Sequence, residues 1–310
     1  MPRYSHVQQV AEQTKKPDWL RVKSATGQNP ERIRTILRTH NLHTVCEEAH
    51  CPNVGECWGG GTATFMLMGD ICTRGCRFCM VKSGNPNGRL DNYEPVKIAR
   101  AIADLRLKYV VITSVDRDDL QDGGAGHFAS TIRAIKTRDQ SVVTEVLIPD
   151  FRANVTCIRK IVDAGPEVIA HNIETTATLT PKIRDPRATY TQSLQVLETI
   201  KKLDREVYSK SSIMLGLGET EEDLVRTMRD LRKVDVDILT LGQYLRPSKG
   251  HIPVVEFVSV SQFEYYKEIA EEMGFMYVAS GPLVRSSYRA AEFFVEALIR
   301  RKSGTLTDIA

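Results

Sequence analysis

No stretch of this 310-residue chain approaches the run of about 18 apolar residues that a membrane-spanning helix needs, so the sequence predicts no membrane partner. Neither sign of charge is in excess. Lys plus Arg is 42 and Asp plus Glu is 39, and the resulting +3 is too near neutral to point to nucleic acid. Residues 1–23 hold no apolar core followed by a cleavage site, so a cytoplasmic protein is expected. Internal repeats and low-complexity tracts are missing, and no dinucleotide-type glycine fingerprint opens a helix. With 42% apolar and 26% charged residues, general disorder is excluded.

What the chain does have, concentrated in one place, is cysteine. Six of its seven cysteines, Cys46, Cys51, Cys57, Cys72, Cys76 and Cys79, fall within 34 residues. Clustered cysteines in a chain with no export signal read as metal ligands or redox groups rather than disulfides.

Short apolar runs recur along the rest of the chain: 64–68, 109–113, 142–148, 168–173, 211–217 and 238–241. Each is rich in β-branched or apolar residues, as in strands buried on both faces. Amphipathic segments lie between them, at 95–107, 129–136, 153–164, 192–203 and 220–234. Thr220 followed by Glu221, Glu222 and Asp223 marks a helix start, a capping hydroxyl before an acidic first turn. A helix is also expected over 31–39 and another over 290–301. Alternating strands and helices imply parallel βαβ units, and six of them favour a barrel or open barrel.

The second cysteine group, Cys72, Cys76 and Cys79, has the spacing CX3CX2C and directly follows the first apolar run. Three thiolates on one tight loop reach three corners of a four-iron cluster and leave the fourth iron open to a ligand. In a βα barrel such a loop lies on the active face. Structural zinc sites pair cysteines as CX2C and close with four ligands, which this loop fits poorly. The first group, Cys46, Cys51 and Cys57, has the spacing CX4CX5C and again offers three thiolates, so a fourth ligand must come from elsewhere. His50 is the nearest candidate in sequence, although a polar loop residue is the simpler reading. Cys157, on the apolar side of an amphipathic segment, reads as a small buried hydrophobe.

CX3CX2C with Phe78 before its last cysteine resembles the radical S-adenosylmethionine (SAM) enzymes. The added CX4CX5C makes the chain similar to one family among them, the lipoyl synthases. The resemblance extends over nearly the whole chain: 16–23, 113–120, 122–125, His171-Asn-Ile-Glu-Thr-Thr176, Arg184-Asp-Pro-Arg187, 214–219, 243–244, 246–248 and Arg285-Ser-Ser-Tyr288. It implies an α/β fold, a partial (β/α)6 barrel of the radical SAM type with N- and C-terminal extensions covering the mouth. The division expected is 1–60 for the N-terminal extension with CX4CX5C, 61–260 for the barrel, and 261–310 for the C-terminal extension.

The resemblance also implies a sulfurtransferase that inserts two sulfur atoms at carbons 6 and 8 of an octanoyl chain, amide-linked to a lysine of a carrier domain. Two [4Fe-4S] clusters and SAM would be its cofactors. Cys72, Cys76 and Cys79 would hold the cluster that binds SAM and supplies the electron for its cleavage to a 5′-deoxyadenosyl radical. Cys46, Cys51 and Cys57 would hold the cluster that supplies sulfur, with Ser287 as its remaining ligand. Its partners would be the octanoylated E2 subunits of 2-oxoacid dehydrogenases, the glycine cleavage H protein and a low-potential electron donor. The chemistry is consistent with such equipment, because unactivated methylenes have no acidic hydrogen for a general base to remove. Candidate SAM contacts are Phe78 in the cluster loop, Thr113 and Ser114 after the second strand, and Asn172 and Glu174 after the fourth. The wider superfamily places a Gly-Gly-Glu-type segment where this chain has Thr-Ser-Val-Asp. A non-catalytic iron–sulfur or zinc protein is the rival class, and a full set of barrel strands exceeds what an electron carrier needs.

Overall fold

The computed structural model describes residues 17–20, 28–59 and 64–287. The expected helix over 290–301, most of segment 16–23 and Tyr288 lie outside them. The strands are β1 (His43–Thr44), β2 (Thr64–Leu67), β3 (Ile71–Cys72), β4 (Lys82–Ser83), β5 (Tyr109–Ser114), β6 (Val143–Leu147), β7 (Val168–Ala170), β8 (Tyr208–Leu215), β9 (Ile238–Gln243) and β10 (Tyr277–Gly281). The helices are α1 (Gln28–His40), α2 (Val45–Glu48), α3 (Val54–Gly59), α4 (Glu94–Leu105), α5 (Ala125–Arg138), α6 (Val155–Val162), α7 (Thr180–Ile183), α8 (Tyr190–Leu203), α9 (Glu221–Lys233) and α10 (Val260–Glu272).

Eight strands form one sheet in the order β1-β2-β5-β6-β7-β8-β9-β10. The six expected strands, β2 and β5 to β9, are parallel neighbours joined by helical crossovers, as βαβ units require. Two further strands extend this sheet at its edges. β10 adds a parallel strand beside β9, and β1 pairs antiparallel with β2, His43 opposite Met66 and Thr44 opposite Phe65. Among the described residues β1 and β10 do not pair, so the sheet is open. No described helix is long and apolar enough to cross a membrane.

The period-two alternation of the strands divides their side chains between two faces. Val110, Ile112 and Val146 face the helices and join the largest core cluster, with Ile98, Ile102, Phe128 and Ile132. On the other face Tyr109, Val111, Val143, Val168, Tyr208 and Ile238 form an apolar plug at the N-terminal ends of the strands. Above Tyr109 comes a buried charge pair: Lys210 donates to Glu145 at 2.7 Å, and the Tyr109 hydroxyl donates to the same carboxylate. Further along the same face the side chains of Thr113, Leu147, Ser212 and Met214 line a cavity.

Two strand boundaries differ from the sequence expectation by three residues. β8 starts at Tyr208 rather than at Ser211, because Lys210, a poor strand residue by itself, is neutralised by Glu145 from β6. β7 ends at Ala170 rather than at Ile173. The His171 ring turns to the Ile148 carbonyl and the Ser193 hydroxyl, and Glu174 takes φ 68°, so the extended chain breaks there. The expected cap at Thr220 is present: its hydroxyl accepts the Asp223 N–H.

Candidate functional site

The C-terminal ends of the strands open into a cavity of about 480 Å³. Cys72, Cys76, Phe78 and Cys79 line it, as do Thr113, Ser114, Asn172 and Glu174. From the opposite side come His50 and Cys51, with Ser286 and Ser287 of the C-terminal segment. Cys46 is buried behind this wall on α2, and Cys57 lies on α3. Cys157 is buried in the helical core, away from the cavity.

The loop carrying Cys72, Cys76 and Cys79 is pinned from several elements. Thr73 N–H donates to the Asp116 carbonyl at 2.9 Å, and Gly84 N–H donates to the Cys72 carbonyl at 2.8 Å. Gly75 N–H donates to Asp185 at 2.9 Å, and Arg77 N–H donates to the Ile183 carbonyl at 2.8 Å. Arg74, buried inside the loop, forks onto Asp118 at 3.0 and 3.1 Å and onto Asp150 at 2.8 Å. Burial pushes Asp150 up, but the guanidinium outweighs it and holds the carboxyl at about 2. Asp116, buried beside the Cys72 sulfur, is pushed up to about 6. Backbone N–H groups point at the sulfurs: Arg74 and Asp116 at Cys72, both 3.4 Å, and Asp185 at Cys76, 3.3 Å. Burial raises the unligated thiols, Cys72 and Cys76 to about 11 and Cys79 to about 12.

The first triad is placed by β1. That short strand runs into α2, where the Thr44 hydroxyl accepts the Glu47 N–H, so Cys46 is set beside the edge of β2. Cys51 N–H returns to the Cys46 carbonyl at 3.1 Å, and Cys57 N–H donates to the Asn53 carbonyl at 2.9 Å. The Asn53 amide then donates to the Leu283 carbonyl at 2.6 Å, across 230 residues. This contact joins the triad to the C-terminal segment. Arg285 lies half-buried close to Cys51, and burial draws its guanidinium down while negative charge on that sulfur opposes the shift.

Of the proposed SAM contacts, Thr113 and Ser114 are the last two residues of β5 rather than part of the loop after it. Thr113 spends its hydroxyl on the Leu147 carbonyl at 3.1 Å, whereas the Ser114 hydroxyl is buried without a partner. The Asn172 amide donates to Glu174 at 3.1 Å, and its carbonyl oxygen is buried and unpartnered. Burial raises the Glu174 carboxyl. Phe78 lines the cavity while packing against Ile183, Leu217 and Tyr244. Gly216, at φ 92°, serves a close approach within the chain. A Cβ there would lie 2.3 Å from both Gln243 Nε2 and the Glu256 carbonyl.

The radical SAM superfamily model matches residues 66–231, and the model for the N-terminal domain of lipoyl synthase matches residues 3–51. The chain is 54% identical over 293 residues to "Lipoyl synthase" of Myxococcus xanthus, covering 94% of this chain and 98% of that one. It is 51% identical to "Lipoyl synthase, mitochondrial" of Rattus norvegicus, covering 97% and 82%. The chain belongs to the lipoyl synthase family. Solved structures share its fold at low identity. Methylornithine synthase (PylB) has a TM-score of 0.52 at 14% identity, covering 84% of this chain and 81% of that one. SuiB of Streptococcus suis bound to S-adenosylmethionine has 0.54 at 9%, covering 82% and 56%. The mostly parallel α/β sheet is therefore a radical SAM fold.

As a member of this superfamily the chain uses SAM and a four-iron cluster, and the residues present fit both. The cavity holds three thiols on one loop, with backbone N–H groups directed at two of them, the surroundings that stabilise cluster sulfurs. Beside them are a buried unpartnered hydroxyl at Ser114, an amide oxygen at Asn172 and a guanidinium Nε at Arg184, which are groups a polar ligand would satisfy. Among the described residues no three His, Cys, Asp or Glu side chains group around a single ion.

Reasoning from sequence missed Arg74, Asp116, Asp118, Asp150 and Asp185 as supports of the cluster loop. The signals were an arginine inside CX3C and the Asp-Arg-Asp-Asp run, but the hydrogen-bond partners lie 43 to 110 residues away. Another missed feature is Gly242 on β9, where a Cβ would lie 2.1 Å from the Val284 carbonyl. Gly242→Ala should therefore displace the 284–287 segment and lower stability by about 2 kcal/mol. Anaerobic urea titration of the loaded enzyme checks this, and an unchanged midpoint would show that the segment is not held at Gly242.

Proposed function

We propose that the chain forms the lipoyl group by inserting sulfur at carbons 6 and 8 of an octanoyl chain carried on a lysine of a partner protein, with two separate four-iron clusters. One observation carries this reading: the loop of Cys72, Cys76 and Cys79 and the segment pair of Cys51 and Ser287 face one cavity. Hydrogen removal and sulfur addition occur at the same carbon, so the two devices must reach one point.

When bound, SAM and the cluster at Cys72, Cys76 and Cys79 supply a carbon radical that takes hydrogen from the unactivated chain. The protein's part is to hold, orient and exclude water. Arg74 and Asp185 hold the cysteine loop. Asn172 and Glu174 offer an amide and a carboxylate to the ribose hydroxyls or amino group of SAM, Ser114 a hydroxyl to its methionine end, and Phe78 a ring edge to the adenine. Thr113 contributes chiefly by fixing β5 to β6. The cluster at Cys46, Cys51 and Cys57 is a substrate in this scheme, the source of sulfur. Ser287 closes it, and a hard oxygen on iron makes a weaker ligand than a thiolate, suited to a cluster that must come apart. Arg285 balances the thiolate at Cys51. The partners proposed are octanoylated E2 subunits and the glycine cleavage H protein, with a low-potential electron donor, in the cytoplasm.

The test is anaerobic turnover of an octanoyl-lysine peptide, followed by mass spectrometry of the peptide and of 5′-deoxyadenosine, in the wild type and in Ser287→Ala. The wild type should yield lipoyl peptide. Ser287→Ala should keep its fold and most of its 5′-deoxyadenosine formation and lose at least about tenfold of its sulfur insertion. Unchanged insertion in that variant would remove Ser287 as a ligand, and absence of lipoyl peptide from the wild type would remove the reading itself.

A further inference from the structure

Although the chain is almost neutral overall, its cations are unevenly placed at the cavity mouth. Arg77, Lys182, Arg246 and Lys249 are all exposed. Among the described residues none of the four forms an ion pair, in contrast to Arg74, Arg117 and Arg187 nearby, each of which meets a carboxylate. The two guanidinium groups are nevertheless fixed. Arg77 donates to the Lys182 carbonyl at 3.0 Å, and Arg246 donates to the carbonyls of His251, at 2.8 Å, and Lys249. His251 Nε2 faces the Cys79 carbonyl at 3.0 Å, so that nitrogen carries the proton, and Ile252 N–H donates to the Arg77 carbonyl at 3.2 Å. Beneath them Ile183, Tyr244, Phe78, Ile252 and Val254 pack together and make the platform rigid. The guanidinium groups are thus oriented by carbonyls, which cancel no charge, and Arg246 itself lines the cavity.

We infer that this rim docks an acidic surface of the carrier domain beside its octanoylated lysine, and the inference rests on the octanoyl-carrier reading above. The octanamide arm is uncharged, so charge can select the carrier only through its protein surface. To deliver the arm, that surface must settle on the mouth where the four cations stand. Guanidinium groups held in place before docking lose little side-chain freedom on binding, and complementary rim charge, the lysines' included, acts mainly on encounter and specificity.

Lys182→Glu/Lys249→Glu changes two exposed residues that do not line the cavity. With an octanoylated E2 lipoyl domain of net negative charge as substrate, this variant should raise KM about tenfold and leave kcat within about twofold. The KM for an uncharged octanoyl-lysine peptide should not move. Raising NaCl from about 50 to about 500 mM should raise the wild-type KM for the domain and close the gap to the variant. Lys182→Gln/Lys249→Gln should fall between the two. An unmoved KM for the domain, or domain and peptide KM values rising together, would overturn the docking surface. If neither substrate gives lipoyl product in the wild type, it is the underlying functional reading that fails.

Discussion

Alanine at Cys72, Cys76 and Cys79 together should lower the iron of the anaerobically reconstituted protein from about eight to about four per chain and reduce SAM cleavage to background. The loss should be complete rather than partial, because the other cysteine at the cavity, Cys51, belongs to the first triad and Cys157 is buried in the helical core. The fold should survive. The loop is held by Arg74 on Asp118 and Asp150, by Gly75 on Asp185 and by Arg77 on the Ile183 carbonyl, none of which uses a cysteine side chain. Iron and sulfide counting, quantitation of 5′-deoxyadenosine and circular dichroism on one preparation check the three parts. SAM cleavage that persists in a folded triple variant would show that the radical-forming cluster is held elsewhere.

Alanine at Cys46, Cys51 and Cys57 should have the complementary effect. Lipoyl product should vanish, and 5′-deoxyadenosine should still form, since the hydrogen bonds that hold the loop of Cys72 come from Asp116, Asp118, Asp150, Asp185 and Ile183, none of them on α2 or α3. The stability cost should be modest. Burial pushes the Cys46 thiol up to about 11 and also raises Cys51, so without metal both are neutral groups of small size. Replacing such a side chain with alanine removes about one buried group and costs about 1 kcal/mol. The packing that holds the segment is elsewhere, in Ile33, Leu37 and Trp58 and in the Arg34 guanidinium 5.4 Å from the Trp58 ring. Normal lipoyl formation by this variant would make the first triad a structural site and would contradict its reading as the sulfur source.

The two triads, with their unequal spacings, were legible because cysteine ligands near one another in sequence lie on one loop or on neighbouring turns, and local spacing alone restricts what such a loop can bind. The parallel α/β architecture was legible for a similar reason. Strands buried on both faces must be apolar along their length, and the crossover helices between them must carry one apolar side, so short-range composition records the topology. Thr220 shows the same economy on a smaller scale, a cap decided by a hydroxyl and an N–H three residues apart.

Tertiary structure decided what depends on residues far apart. That β8 begins at Tyr208 requires Glu145 to neutralise Lys210 across 65 residues, and no local pattern contains that pairing. The supports of the cysteine loop come from the ends of β5, β6 and α7, which only the assembly of the parallel sheet brings to one side. The Asn53 side-chain amide meets the Leu283 carbonyl, and Gly242 lies against the Val284 carbonyl, contacts whose partners are backbone atoms that carry no signature of residue type. Those contacts place Ser287 and Cys51 on the same cavity. The sequence by itself determined which residues stand as candidate iron ligands and how they are spaced. Which of them face one another was settled only by the fold, because a hydrogen bond or a close approach between distant segments depends on the assembled sheet and leaves local composition unchanged.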